Sequence, residues 1–230
     1  MAPRVRPRDR EREIVEATRA LFDAQGVQEA RVAHIARAVG INKAIIYRHF
    51  SSKEELFVHT VSSYLDDLDA LLGEVDEQAL APEEALRAMS DRYAGFCMEF
   101  PAFLDCALSL MRRPFGELAD AVGDAVLFRL GQAMAACLGH VAGVLGEGAR
   151  QGVFAVDDPD RTANHLYTQA LGTMHLARVR VAVRRGPGGT PQTYAVDPEE
   201  VRRACVEDAL AHARGQRGGT PALPRNPPDA

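Results

Sequence analysis

Tryptophan is absent from this 230-residue chain, and aromatics make up only 6% of it. A binding site built from it must therefore work mainly through aliphatic shape. Cysteine is scarce: Cys97, Cys106, Cys137 and Cys205, with no CxxC spacing. That count excludes a disulfide framework and the common zinc arrangements, and the four read as reduced core residues of a cytoplasmic protein. No charged-then-apolar leader opens the chain and no run of 18 apolar residues occurs, so neither secretion nor a membrane span is expected. There is no Walker loop, Gly-rich dinucleotide turn, nucleophile–base pair or metal spacing, so no enzyme, cofactor or metal site is expected. Lysine is the rarest charge. Only Lys43 and Lys53 occur, both within one short stretch, against 25 arginines.

What the chain does have is an uneven charge. Its net charge is -5. Residues 1–60 nonetheless carry 11 Lys+Arg and 8 Asp+Glu, whereas the remainder carries 16 and 24. A basic end on an acidic body points to a polyanion partner for the first 60 residues.

The hydrophobic periodicity is helical almost throughout. After a basic, proline-punctuated arm (1–8), Ile14, Ala17, Leu21 and Phe22 form one apolar face, and Gly26 stops that helix. Val32, Ile35, Ala36 and Val39 form a second short stripe, closed by Gly40. Asn42 caps a third helix. Ser52 and Glu55 form a capping box for a fourth, which carries Leu56, Phe57, Val61, Tyr64, Leu65 and Leu68. In the body, helices are expected at roughly 82–100, at 117–150 as one long apolar stretch, at 159–184 behind the Asp158-Pro159 start, and from Pro198 to about 214. Gly186-Pro187-Gly188-Gly189 reads as a flexible loop, and the tail from Gly215 as disordered. Val179, Val181 and Val183 alternate as a strand would, but the helical pattern around them outweighs three residues, so no sheet is expected. The fold class is all-α: a three-helix head (9–57) and a larger helical body (58–214).

A helix, a tight glycine turn and a second helix with an exposed face form a DNA-reading arrangement. Lys43, Ala44, Ile45 and Arg48 lie where side chains would meet base edges. Ile35, Val39, Ile46 and Phe50 would pack the head. Tyr47, His49 and Lys53 would flank the groove and hold phosphates, and at Lys53 the start of the fourth helix adds its amides.

Residues 9–57 resemble the DNA-binding domain of the tetracycline-repressor (TetR) family. The likeness runs through Ile35-Ala36, Gly40, Tyr47-Arg48-His49-Phe50 and Lys53-Glu54-Glu55-Leu56. It implies double-stranded DNA as partner, with Arg31, Asn42, Lys43, Ala44, Ile45, Tyr47, Arg48, His49 and Lys53 at the interface. Arg31 stands where the family usually has a capping Ser or Thr, and Ala44-Ile45 where it has a small residue and Thr. Ile45 cannot hydrogen-bond a base but can pack on a thymine methyl, so a hydrophobic component of base readout is expected.

The resemblance also implies a homodimer and a small-molecule effector. Pocket candidates are Phe96, Phe100, Phe103, Leu104, Leu110, Met111, Phe115, Val126, Met134, Tyr167 and Met174, which would hold an apolar ligand by shape; Val122 is a further one. Asn164, His165, Gln169 and His175 could orient it. Helices 159–184 and 198–214 would pair with their copies through Leu166, Ala170, Leu171, His175, Val201, Ala204, Cys205 and Ala209. The function implied is a homodimeric repressor released from a palindromic operator by ligand. The alternative is a DNA-binding regulator without a small-molecule switch.

Overall fold

The computed structural model describes residues 7–112 and 115–216. The predicted arm and tail lie outside these residues, except that Pro7 and Arg8 already belong to the first helix and Gly215 and Gln216 follow the last. The described chain runs α1 (Pro7–Gln25), α2 (Val32–Val39), α3 (Lys43–His49), α4 (Lys53–Asp76), α5 (Pro82–Glu99), α6 (Pro101–Met111), α7 (Phe115–Ala121), α8 (Asp124–Arg150), α9 (Pro159–Val179), β1 (Val181–Arg185), β2 (Pro191–Ala195) and α10 (Pro198–Ala213). It divides into two compact units. One comprises the described residues up to Ala70 together with Glu99–Cys137; the other comprises Leu71–Met98 and the described residues from Leu138 on. The head therefore shares its unit with α6, α7 and the start of α8, a grouping that the predicted boundary at 57 does not have.

In the first unit, Ile14, Val15, Val32, Ile35, Ala36, Ile46, Phe50 and Leu56 are buried together, with Leu21, Val39 and Ile41 against them. Each large aliphatic residue removed from water there contributes about 1.5–3 kcal/mol, offset in part by chain entropy. The expected stops hold. Gly26 (φ 87°) donates its N–H to the Phe22 carbonyl at 2.8 Å. Gly40 takes φ 73°, and Ile41 donates to the Ala36 carbonyl at 2.9 Å. A β-carbon at Gly40 would meet nothing within 4 Å, so glycine is there for its left-handed backbone and not for space.

The second half of this unit is anchored on Tyr64. Its ring is fully buried, 6.0 Å from both Phe100 and Phe103, and the Arg19 guanidinium lies 4.1 Å from its centroid. Pro101 opens α6 at a position whose N–H needs no partner. The predicted single stretch 117–150 is broken. Val126 and Leu127 donate their N–H groups to the Gly123 carbonyl, so Gly123 starts α8 afresh behind the separate α7. An 18-residue window of α8 reaches mean hydropathy 1.3 with at most two charges, which makes the helix long and apolar enough to cross a membrane by composition; one such helix is weak evidence for a span. The apolarity lies partly in small exposed residues (Ala135, Ala136, Gly139, Gly143) and in Phe128, which is 68% exposed.

In the second unit α9 packs along α10. Arg202 of α10 makes a two-pronged hydrogen bond to Asp91 of α5, both contacts 2.7 Å, and holds that carboxyl below the usual carboxylate range. Arg87 meets Glu207 at 2.6 Å, and Arg214 pairs with Glu83. The expectation of no sheet is overturned. α9 ends at Val179 because Arg180 turns left-handed (φ 59°), and β1 and β2 then pair antiparallel, with Val181 opposite Ala195 and Val183 opposite Thr193. The predicted flexible loop is a closed turn: Gly186 donates to the Thr190 carbonyl at 2.7 Å, and Gly188 and Gly189 take φ 68° and 83°. Three β-branched valines at period two, followed by this turn, outweigh the helical signal at the end of α9.

Candidate nucleic-acid interface

The site is built from the core outwards. α3 is seven residues, about 10 Å long. Ile46 is fully buried and Phe50, just past its end, is 1% exposed, so one side of α3 is fixed in the core. The opposite side presents Lys43, Ala44, Tyr47 and Arg48, all exposed; Ile45 is half-buried at its edge. Asn42, exposed, accepts the Ile45 N–H on its Oδ1 at 3.0 Å and so sets the start of the helix. A helix this short depends on its cap. Asn42→Ala is expected to lower stability by about 1 kcal/mol, read as a drop in thermal midpoint, with a larger loss of DNA affinity than of fold.

Arg31 occupies the N-cap of α2 in extended backbone, exposed and with no side-chain cap hydrogen bond, as expected of a residue lacking an acceptor. Its guanidinium is thus available to an anion beside the start of α2. Lys53 is exposed at the start of α4. There Ser52 Oγ accepts the Glu55 N–H at 3.0 Å, and Glu55 turns back to accept the Ser51 N–H at 2.7 Å, one residue before the partner of the expected capping box. With Glu55 so engaged, Lys53 is the cation at this helix start, with Glu54 beside it.

His49, expected as a phosphate contact, is engaged within the head. Its Nδ1 lies 3.2 Å from Glu11 Oε1 on α1, and its side chain is largely covered. It braces α3 against α1 instead, because the last turn of α3 is directed back at the first helix. The α1 partner, 38 positions away, leaves no mark in the local sequence. Phe50, in turn, meets His59 edge-on at 5.3 Å. Burial holds the His59 imidazole below its usual 6.5. A depressed histidine stabilises the fold above pH 6.5 and loses that contribution as pH falls below it. Stability of the head is accordingly expected to decline as pH falls from about 6.5, and His59→Gln should flatten that limb of a pH–melting curve.

The predicted ligand residues separate. Phe103 and Leu104 are buried and Phe100 half-buried in the first unit, where the two rings pack on Tyr64; Leu110, Val126 and Met134 are half-buried there, Val122 is buried, and Met111 is 54% exposed. Met111, at the open end of α6, lines no enclosed space. Phe96 and Met174 are buried and Tyr167 half-buried in the second unit; the side chain of Phe115 lies outside the described residues. Asn164, His165, Gln169 and His175 are all exposed, which leaves them on the surface of α9 and not around an enclosed ligand.

The predicted dimer residues also divide. Leu166, Leu171, Val201, Cys205 and Ala209 are buried within the single chain, consumed by the packing of α9 on α10 and by the ties of α10 to α5. They are core, not free surface. His175 is exposed, and Ala170 and Ala204 are half-buried. The open side of these helices instead carries His165, whose ring meets His212 edge-on at 6.3 Å, and Gln169, beside Asp208. All four cysteines are free and buried; burial pushes the Cys97, Cys137 and Cys205 thiols up to about 12, which keeps them protonated and poor nucleophiles.

The family described as bacterial regulatory proteins, tetR family, matches residues 14–60, from α1 into α4. The HTH-type transcriptional regulator SAR2658 of Staphylococcus aureus (strain MRSA252) is 27% identical over 93 residues, 40% of this chain and 50% of that protein. The chain thus spans about half the length of the curated relatives it matches. A tetR-family transcriptional regulator from Mesorhizobium loti MAFF303099 superposes with TM-score 0.57 at 25% identity, covering 90% of this chain and 98% of that one. The transcriptional regulator FadR of Bacillus subtilis, solved with stearoyl-CoA, shares the fold with TM-score 0.62 at 13% identity, covering 87% and 97%. Residues 14–60 are thus those of a tetR-family regulator head, and the described chain has the fold of tetR-family transcriptional regulators.

Proposed function

We propose that this chain is a cytoplasmic homodimeric repressor that reads a palindromic operator and is released from it by a small apolar ligand. The observation that carries the DNA-reading role is the two-sidedness of α3: Ile46 is fixed in the core while Lys43, Ala44, Tyr47 and Arg48 face out. Lys43, in the first turn, is placed to donate to a guanine edge, and Ile45 at the margin to meet a thymine methyl. Arg31, Tyr47 and Lys53 hold the backbone. Two heads in a symmetric dimer would meet half-sites about 34–36 Å apart.

Ligand control requires different affinities for two conformers, and a shift from 1:99 to 99:1 takes about 5.5 kcal/mol. Besides α4, the natural relay is the tie between α6 and α1, where Ala102 donates its N–H to Asp23 Oδ1 at 3.3 Å. Support for a ligand comes from the fold neighbour solved with stearoyl-CoA. A second reading, a regulator with no small-molecule switch, is favoured by the close burial of Phe96, Phe103, Leu104 and Met174, which leaves these candidates as packing residues.

The test is fluorescence anisotropy on DNA flanking the protein's own gene, followed by a screen of apolar compounds for release. Lys43→Ala is expected to cost about 1–3 kcal/mol on the operator and to relax specificity at one base pair. Lys53→Ala should weaken operator and random DNA alike and lower the salt slope by about 1. Equal losses on operator and random DNA for Lys43→Ala would remove its base-reading role. Release by no compound, with operator binding intact, would select the second reading.

A further inference from the structure

The β1–β2 hairpin is the least explained part of the molecule. Of the large hydrophobic residues that stand exposed among the described residues, three (Val179, Val181 and Val183) fall within five consecutive positions. Val181 and Val183 share one face of β1 with their partners Ala195 and Thr193; the other face carries Ala182 and Arg184, with the Arg184 guanidinium 6.0 Å from the Tyr194 ring. A two-stranded hairpin with one uncovered valine face is marginal in water by itself. The turn that closes it is nevertheless fully hydrogen-bonded, so the arm is built and not slack.

The charge around it says what covers it. Residues 162–196 contain four arginines and no Asp or Glu, although the whole chain has 27 Lys+Arg and 32 Asp+Glu; Arg161 lies at the other end of α9, beside Asp158. That disfavours two hairpins stacked by their valine faces, since Arg185, which shares that face, would confront its own copy. The opposite end of α9 is acidic: Asp157 and Asp160 are exposed, and Asp158 caps the helix. α9 is 21 residues, about 31 Å, with acid at its start and the basic arm at its end. Set antiparallel to its copy about a two-fold axis, each arm arrives at the other copy's acidic start, twice over and identically. The middle of the open side of α9 and α10 is polar (His165, Gln169, His212), whereas Val153, 41% exposed and four positions before Asp157, gives the valine face an apolar counterpart at the acidic end.

We propose that the hairpin is a dimerisation arm: its Val181–Val183 face, with Arg185 on that face and Arg180 at its base, docks on the acidic start of α9, at Asp157 and Asp160, of a second copy. This rests on the homodimer reading and gives it residues. Sedimentation equilibrium of the full chain tests both. Wild type is expected to dimerise, and Val181→Asp/Val183→Asp to weaken the dimer by roughly tenfold or more. Arg180→Asp/Arg185→Asp alone should weaken it similarly, and combining it with Asp157→Arg/Asp160→Arg should restore it. These side chains are exposed, so unchanged circular dichroism melts are expected; the charge swap keeps the test valid if the valine variant melts early. A wild type that stays monomeric overturns the dimer reading itself. A dimer that ignores every substitution leaves that reading standing and overturns the arm, as does loss from the arginine variant without rescue by the swap. So does a fall in random-DNA affinity of the arginine variant at unchanged dimerisation, which would make the arm a polyanion contact.

Discussion

Gly148→Ala is expected to destabilise the protein by about 1–3 kcal/mol, although alanine is the better helix former. A β-carbon on Gly148 would overlap the edge of the Phe154 ring, nearest its Cδ2 and 2.6 Å from its Cε2. The ring has nowhere to go: Phe154 is 5% exposed, and both Val153 and Phe154 donate their N–H groups to the Gly148 carbonyl, at 2.9 and 3.1 Å. The ring closes over the last turn of α8, and glycine is required at the point of contact. Phe154→Ala should itself cost about 3–5 kcal/mol through the cavity it leaves. The double variant is the decisive measurement. Once the ring is gone the added methyl meets little, so the pair should cost clearly less than the sum of the two singles. Strict additivity in urea denaturation would mean that the overlap is not what makes Gly148 necessary.

Asp23→Ala should have the largest polar effect, a loss of about 2–4 kcal/mol. Its carboxylate accepts the buried Tyr64 hydroxyl at 2.8 Å and the Ala102 N–H at 3.3 Å, so one side chain joins α1, α4 and α6. Removing it leaves a backbone donor without its partner and the buried phenol with only the Arg19 carbonyl, 3.5 Å away, whereas Tyr64→Phe removes only one hydroxyl and should cost about 1 kcal/mol. Arg19 reinforces the same junction through Ser63 at 3.0 Å and Asp67 at 2.6 Å. Burial, then the hydrogen bond to Asp23, raises the Tyr64 phenol well above its usual 10. A raised acid stabilises the fold fully below that value, and the contribution is lost as pH rises further, because the unfolded tyrosine ionises first. The alkaline limb of the stability curve should therefore be shallower in Tyr64→Phe. If α6 carries the ligand signal, Asp23→Ala should also blunt ligand release at unchanged ligand affinity; full release with a weakened fold would make the junction purely structural.

The head was legible because its signals are local. Gly26 and Gly40 mark left-handed stops, Asn42 and Ser52 mark helix starts, and the apolar stripes return every three or four residues, so each element is declared within a few positions of itself. The hairpin was half legible: the valine alternation and the Gly-Pro-Gly-Gly turn were both visible, but a helical neighbourhood outvoted them. The break at Gly123 went unseen because both flanks are apolar and helical, and only the Gly123 carbonyl, receiving the α8 amides, divides them.

The sequence by itself determined that this is a helical protein with a helix-turn-helix head, and it named the exposed face of α3, because those properties follow from period, caps and charge along the chain. Tertiary structure alone decided which polar groups are spent inside. Glu11 engages His49, Asp23 binds α1 to α6, and the packing of α9 on α10 buries apolar residues expected at a dimer surface. Each of those outcomes depends on a partner dozens of positions distant, and a chain read in order gives no sign of which distant side chain arrives first.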